Sequence, residues 1–289
     1  MLGQIENIDT TSRIGNNASE SKFIVSSLKE FNKHDPASPY SIKIVTHGIE
    51  RYTVNHRSFK LEANNYLIVN KSDELKVSIE SKEDVKGICI YPPEKLIQEI
   101  FSYHTKSATE LLDSYGTSQN NFNFTQKSNR LESTKTGHFL TRNIPFIVQQ
   151  NMTGNAIDFN TFYRQVAECL VHDQLAIDQQ LLNINSAKRK TKEELFRRVS
   201  IAKEYIQYNF SQKLSVDELA QMASLSKYHF LRVFKELFDC TPYQYMLRLK
   251  LNAAKKLMIK GYSYTQICDE VGFSDPKNLR KALKRYAAA

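Results

Sequence analysis

The sequence predicts an α+β protein of two domains, a β-rich front half followed by helices and an all-helical last third. Three observations carry this. Between residues 40 and 91, short apolar–polar alternations recur at roughly ten-residue spacing. One helical pattern occurs twice in the last hundred residues. Finally, 192–289 holds 18 Lys and Arg against 10 Asp and Glu, whereas 1–191 holds 22 against 21. Nearly all of the formal charge of +9 therefore sits in the last third, which points to a polyanionic partner for that part. Basic helices that are merely solvated give the same count, but the repeated pattern weighs against that reading.

At 289 residues the chain is long enough for two cores, and 41% apolar with 25% charged content is ordinary for a soluble globular protein. No apolar run in the sequence approaches the ~20 residues that span a bilayer, so no membrane partner is expected. The start, Met1-Leu-Gly-Gln-Ile-Glu-Asn, lacks the charged-then-apolar layout of a signal peptide, and a cytoplasmic location is expected. Cys89, Cys169, Cys240 and Cys268 lie far apart with no paired Cys/His spacing, so neither structural zinc nor a disulfide framework is expected.

Residues 1–37 are polar with weak periodicity and read as an irregular lead-in. Tyr40-Ser-Ile-Lys-Ile-Val-Thr, Arg51-Tyr-Thr-Val-Asn, Ser58-Phe-Lys-Leu, Tyr66-Leu-Ile-Val, Leu75-Lys-Val-Ser-Ile and Gly87-Ile-Cys-Ile-Tyr then read as strands. Gly48, Asn55-His56, Asn64-Asn65, Lys71-Ser-Asp and Lys82-Glu-Asp separate them, which predicts a small antiparallel barrel or sandwich. After Pro92-Pro93 a short helix is expected over 94–103, then a polar stretch over 114–136. Over 156–182, Phe159, Phe162, Tyr163, Val166 and Leu170 share one helical face, with a break near His172-Asp173. That face either covers the domain's own sheet or pairs with a second copy, and these five residues are the candidates for self-association.

Residues 183–191 read as a polar, basic linker between domains 1–182 and 192–289. A helix with one core face is expected over 193–209. Ser215 followed by Glu218 is a capping box, and Ser226 caps the next helix, giving a first helix-turn-helix at about 215–238. Thr241-Pro242 starts a long helix that Gly261 stops, at about 242–260. Ser263 and Gln266 form a second capping box, Gly272 makes the turn and Ser274 caps, giving a second motif at about 263–286. Two such motifs in tandem suit the reading of two neighbouring stretches of duplex DNA.

At this point the pattern resembles a known family. Leu225-Ser-Lys-Tyr-His-Phe-Leu-Arg-Val-Phe-Lys235 and Val271-Gly-Phe-Ser-Asp275, with Thr241-Pro-Tyr-Gln-Tyr, Arg248-Leu and Ala253-Ala254, are similar in order and spacing to the DNA-binding domain of AraC/XylS bacterial transcription regulators. The front half is similar only in architecture to the cupin-like β-barrel effector domain of many members. The resemblance implies that both recognition helices enter successive major grooves. Tyr228, His229, Leu231 and Arg232 would read bases in the first, and Lys277, Asn278, Arg280 and Lys281 in the second. Arg232 suits guanine and Asn278 suits adenine, whereas Ser226, Lys235, Ser274 and Lys284 suit phosphate. For His229 and Leu231, plain structural or exposed roles compete with DNA contact. Ser224 stands where family members often have glycine, Leu283 replaces a common aromatic, and the sequence runs to Arg285-Tyr-Ala-Ala-Ala289 without the short closing helix that many members add.

An enzyme needs chemistry that residues 1–191 do not offer. His47 and His56 are isolated, and no nucleophile elbow, P-loop or dinucleotide fingerprint occurs. No cofactor, metal or catalytic residue is expected. Tyr40, Ile44, Tyr52, Phe59, Tyr66 and Ile68 line either an effector cavity or an ordinary core. The expected protein is a sequence-specific transcription regulator, acting as an activator on double-stranded DNA. RNA polymerase, a second copy of the chain and a small-molecule effector are its expected further partners. A nonspecific architectural binder of the nucleoid is the competing class, distinguished by a steep salt slope without sequence preference.

Overall fold

The computed structural model describes residues 5–8, 21–107, 122–186 and 188–287, with side chains through Tyr286. Part of the expected lead-in, residues 108–121 with the beginning of the expected polar stretch, Ala187 of the linker and the last two alanines lie outside the described residues. The chain divides into two compact units, 1–177 and 178–289.

Unit 1 carries a mixed sheet of eight strands: β1 (Ile5–Ile8), β2 (Lys22–Asp35), β3 (Ser41–His47), β4 (Ile49–Val54), β5 (Arg57–Glu62), β6 (Asn65–Val69), β7 (Leu75–Tyr91) and β8 (Ser128–Arg130). The order is β1-β2-β7-β3-β6-β8, with β4 pairing β5 and β7. All described pairings are antiparallel except β1 with β2. β4 and β5 meet at Asn55 and His56, both at positive φ (46° and 69°), the backbone of a two-residue type I′ hairpin.

Two strand expectations are corrected. The lead-in contains β1 and the 14-residue β2, whose Ser26-Ser27 and charged second half hide its alternation. The two strands expected over 75–79 and 87–91 are one, β7, of 17 residues. Lys82-Glu-Asp does not turn the chain. It falls where the register with β2 jumps from Leu28↔Val85 to Glu30↔Glu80, so the turn signal marks a bulge.

Strand periodicity gives the sheet two apolar faces. Val45, Tyr52, Val54, Leu61, Leu67, Val69 and Leu75 form one buried cluster, with Phe59 packed against it. Phe23, Tyr40, Ile42, Ile44, Tyr66, Ile68, Ile88 and Ile90 form another with three helices: α1 (Glu94–Thr105), α2 (Lys135–Met152) and α3 (Phe159–Leu182). Of the six residues offered as effector-cavity lining, Tyr40, Ile44, Tyr66 and Ile68 are core residues of the helix-covered cluster, whereas Tyr52 is buried in the other cluster with Phe59 partly buried beside it, and these two also line a groove. Helix α2 is absent from the sequence reading, because Gly137 and Pro145 interrupt its pattern. Gly137 is required, since a Cβ there would overlap the backbone of Leu131. The break expected at His172-Asp173 does not occur. Asp173 instead accepts hydrogen bonds from the backbone N–H of Lys135 (3.1 Å) and Thr136 (2.8 Å), satisfying the first turn of α2.

The self-association face is also corrected. Phe159, Phe162, Tyr163, Val166 and Leu170 are all buried in the unit's own core, where Phe23 meets Phe162 edge-on at 5.9 Å. That face covers the sheet. The opposite face of α3 is polar, with Asn160, Arg164, Gln165 and Glu168 exposed.

Two buried charges share the sheet interior. Lys43 donates to the Tyr91 hydroxyl at 2.8 Å, and Glu50 accepts from the Tyr52 hydroxyl. Both are under 5% exposed. Burial pushes the Glu50 carboxyl above its usual range, against the opposing pull of Tyr52 and Lys43. Removing one charge strands the other. Lys43→Met is expected to lower unfolding free energy by about 3 kcal/mol, and Lys43→Met with Glu50→Gln to recover most of that loss. Urea denaturation of the single and double variants measures it. Additive losses would show that the two groups do not compensate each other.

Candidate nucleic-acid interface

Unit 2 contains α4 (Arg189–Asn209), α5 (Val216–Met222), α6 (Lys227–Phe238), α7 (Pro242–Ile259), α8 (Tyr264–Val271) and α9 (Pro276–Ala287). Helices α5 and α6 form the first helix-turn-helix. Ser215 and Glu218 make the reciprocal capping box, and Ser226 accepts from the His229 backbone N–H to cap α6. Phe230, Val233, Phe234 and Leu237 of α6 are buried, with Phe196, Val199, Ala202 and Ile206 of α4. Phe234 touches Tyr245 of α7 at 6.0 Å between ring centroids.

The turn of this motif needs a left-handed residue, and Ser224 supplies it at φ 52°. Arg198 reaches the Ser224 carbonyl at 3.4 Å. Glu194 accepts from Arg197 and Arg198, and those bonds hold its carboxyl down at about 2.

With the inner face so fixed, the outer face of α6 is set. Tyr228 is 85% exposed, and Arg232 and Lys235 are exposed. His229 and Leu231 are half-buried, at the flank of the face rather than its crest. Arg232 lies 3.8 Å from Glu236, one turn on. Lys227 pairs with Asp217 of α5 at 2.8 Å, and that partner raises its pKa.

Helix α7 begins with a Thr241–Gln244 capping box and Pro242 in its first turn, and its 18 residues span about 27 Å. Leu251 and Ala254 are buried against Ile267, Cys268, Val271 and Leu279 of the second motif, with Leu283 packed at the edge. Ser263 and Gln266 form the capping box of α8. The turn is Gly272 at φ 70°, where a Cβ would overlap the backbone of Ser211. Lys250 donates to the Gly272 carbonyl at 2.7 Å, and burial lowers its pKa.

The cap of α9 differs from the expectation. Asp275, not Ser274, accepts from the Asn278 backbone N–H at 2.8 Å, and Pro276 opens the helix. A carboxylate followed by proline outcompetes the serine because it is one residue closer to the first free N–H groups. Ser274 donates to that carboxylate at 3.3 Å. Lys277, Asn278, Arg280, Lys281 and Lys284 are all exposed, so the structure brings the predicted residues of the second helix onto its outer side. Lys250, Arg198 and Asp275 were missed as positioning residues. The first two act over 22 and 26 residues, beyond any local motif.

Among the described residues, no group of three or more His, Cys, Asp and Glu gathers as a metal site would, and no helix is long and apolar enough to cross a membrane. In unit 1 a groove of about 800 Å³ lies along β2, β4, β5 and β7, lined by His34, Arg51, Tyr52, Phe59, Lys60 and Lys76 among others.

The family described as "Helix-turn-helix domain" matches residues 219–289. The chain is similar to the uncharacterised HTH-type transcriptional regulator YbfI of Bacillus subtilis, 31% identical over 81 residues, which are 28% of this chain and 30% of that protein. It is similar to the probable transcriptional regulator LumQ of Photobacterium leiognathi, 34% identical over 82 residues, 28% of this chain and 33% of that one. The chain thus spans about a third of the length of these relatives. Among solved structures it is similar to apo ToxT from Vibrio cholerae, at a TM-score of 0.36 and 11% identity over 94% of this chain and 95% of that one.

The two turns make opposite demands on substitution. Gly272→Ala is expected to cost about 2 kcal/mol or more, through both strain and overlap. Ser224→Gly is expected to be neutral or to stabilise by up to about 1 kcal/mol, because it relieves a left-handed serine. Urea unfolding followed by far-UV circular dichroism tests both, and a Gly272→Ala protein as stable as the parent would contradict this account of the turn.

Proposed function

We propose, from the premise that residues 219–289 form an AraC-type helix-turn-helix domain of a DNA-binding transcription regulator, that the chain recognises a bipartite duplex site. Helices α6 and α9 enter successive major grooves. Tyr228, His229, Leu231 and Arg232 face the first groove, and Lys277, Asn278, Arg280 and Lys281 the second. Ser226, Lys235, Ser274 and Lys284 meet phosphates. The observation that carries the reading is the pairing of two capped helices with exposed basic faces at either end of one 18-residue helix. A rod of about 27 Å suits sites one turn, ~34 Å, apart on one DNA face.

Activation, self-association and control by a small molecule complete the proposal, with RNA polymerase as the further partner and the bacterial cytoplasm as the setting. Self-association would use surface other than the buried face of α3, and unit 1 offers Phe146 and Met152 of α2, 58% and 81% exposed. The groove across β2, β7, β4 and β5 is the candidate place for an effector. The competing architectural reading draws on the basic charge of 192–289 alone.

Selection from a random duplex library at ~0.15 M salt separates the two. The expected result is two sequence blocks about one turn apart, doubled where the protein dimerises. Arg232→Ala is expected to relax preference at one base of one block by about tenfold. Tight, salt-sensitive binding with no recovered motif would favour the architectural reading. A uniform loss over all sequences on Arg232→Ala would place that side chain on phosphate.

A further inference from the structure

The two recognition helices are unequally prepared to read bases. On α6, Tyr228 stands 85% exposed with its hydroxyl bonded to none of the described residues, and the Arg232 side chain has the 3.8 Å contact with Glu236. On α9, both side chains suited to reading bases are already engaged. The Asn278 amide nitrogen donates to the Asp275 carboxylate at 2.6 Å and to the Ser274 hydroxyl at 3.2 Å, which accounts for both of its hydrogens. The Arg280 guanidinium lies over the Tyr264 ring, 4.5 Å from its centroid. What α9 leaves exposed without such engagement is Lys277, Lys281 and Lys284, with Arg285 in its last turn, away from the N-terminal part of a recognition helix that meets base edges.

These differences have a chemical consequence. Adenine is read by an amide that donates and accepts at once, and guanine by the flat fork of arginine. For Asn278 to do this, it must leave a charge-assisted bond. It would also uncover the Asp275 carboxylate at the end of the helix nearest DNA, where it repels phosphate. Arg280 must likewise leave its ring. Lysine is a mobile point charge that holds phosphate without choosing a base.

We infer that sequence is read by the first recognition helix, chiefly through Tyr228 and Arg232, while the second grips the phosphate backbone through its lysines. Asn278 and Arg280 are then positioning residues of α9. This rests on the reading of both helices as DNA-contacting. The site therefore has one sharply specified block and one weakly specified block, and the salt dependence is shared by both.

The test is a scan of the selected site with the wild-type protein, every base pair substituted singly, which requires no variant to fold. Arg232→Ala identifies which block lies under α6. Substitutions in that block are expected to cost about tenfold or more at two or more positions, and those in the other block less than about threefold each. Asn278→Ala, checked for folding by its thermal transition, is expected to leave the base preferences of the second block within about threefold. Lys281→Ala is expected to lower the salt slope by about one without changing preference. A position in the second block with tenfold preference that Asn278→Ala or Arg280→Ala levels would overturn the division of labour while leaving the bipartite site intact. Absence of preference in both blocks would instead overturn the proposed function, and this inference with it.

Discussion

A helix that reads DNA, as proposed for α6 and α9, must bury one face to be held still and keep the opposite face unsatisfied, and the two helices of unit 2 meet that conflict differently. Helix α6 resolves it with bulk. Phe230, Val233, Phe234 and Leu237 are nearly inaccessible, so packing, with the Ser226 cap and the Lys227–Asp217 pair, fixes the helix and leaves Tyr228 without a holding role. Helix α9 has less apolar material, with Leu279 buried and Leu283 and Tyr286 only partly so. It is held by polar devices instead: the Asp275 cap, the amide of Asn278, the ring under Arg280 and the Lys250 bond to the preceding turn. Groups that hold a helix are not free to read with.

Unit 1 meets an equivalent constraint with one long strand. β7 pairs along one edge with β2 over most of its length, and along the other with β4 at its beginning and β3 at its end. The register jump near residues 81–84 separates the two halves, so a single strand supplies residues to two apolar clusters on different faces. The cost is polar groups trapped between layers. Lys43 and Glu50 are buried with tyrosine hydroxyls as their hydrogen-bond partners.

What was legible in the sequence follows from how local the governing interaction is. The capping boxes of Ser215–Glu218 and Ser263–Gln266 lie within four residues and are legible at each motif start, whereas at Thr241 the sequence shows the cap and its proline, and the structure adds Gln244 as the reciprocal partner. The turns at Asn55-His56 and Gly272 are local backbone requirements, legible from the residues that carry them. β2 is not legible, because its polar half is a strand only by virtue of six pairings with β7, forty to fifty residues away. Helix α2 was hidden by Gly137, whose reason is a backbone contact with Leu131 that no periodicity records. The apolar face of α3 was correctly found, but a stripe does not say what covers it. At the interface, residue type pointed to Asn278 as a reader, and only the geometry shows its amide already spent.

Helix α7 ties the two motifs of unit 2 together. Its first half belongs to the first motif, through Tyr245 with Phe234 and the 2.8 Å bond from Gln207 to the Tyr245 hydroxyl. Its second half belongs to the other, where Leu251 and the small Ala254 let α8 and α9 pack close. No glycine or proline interrupts it between Tyr243 and Lys260. The spacing of the heads is therefore set before DNA is met, and binding orders no linker. On the proposed division of labour, a head that grips phosphate is useful only on such a rod. Its affinity is nonspecific by itself, but fixed at one turn from a head that reads bases it adds to binding at the correct site, without imposing a second sequence requirement.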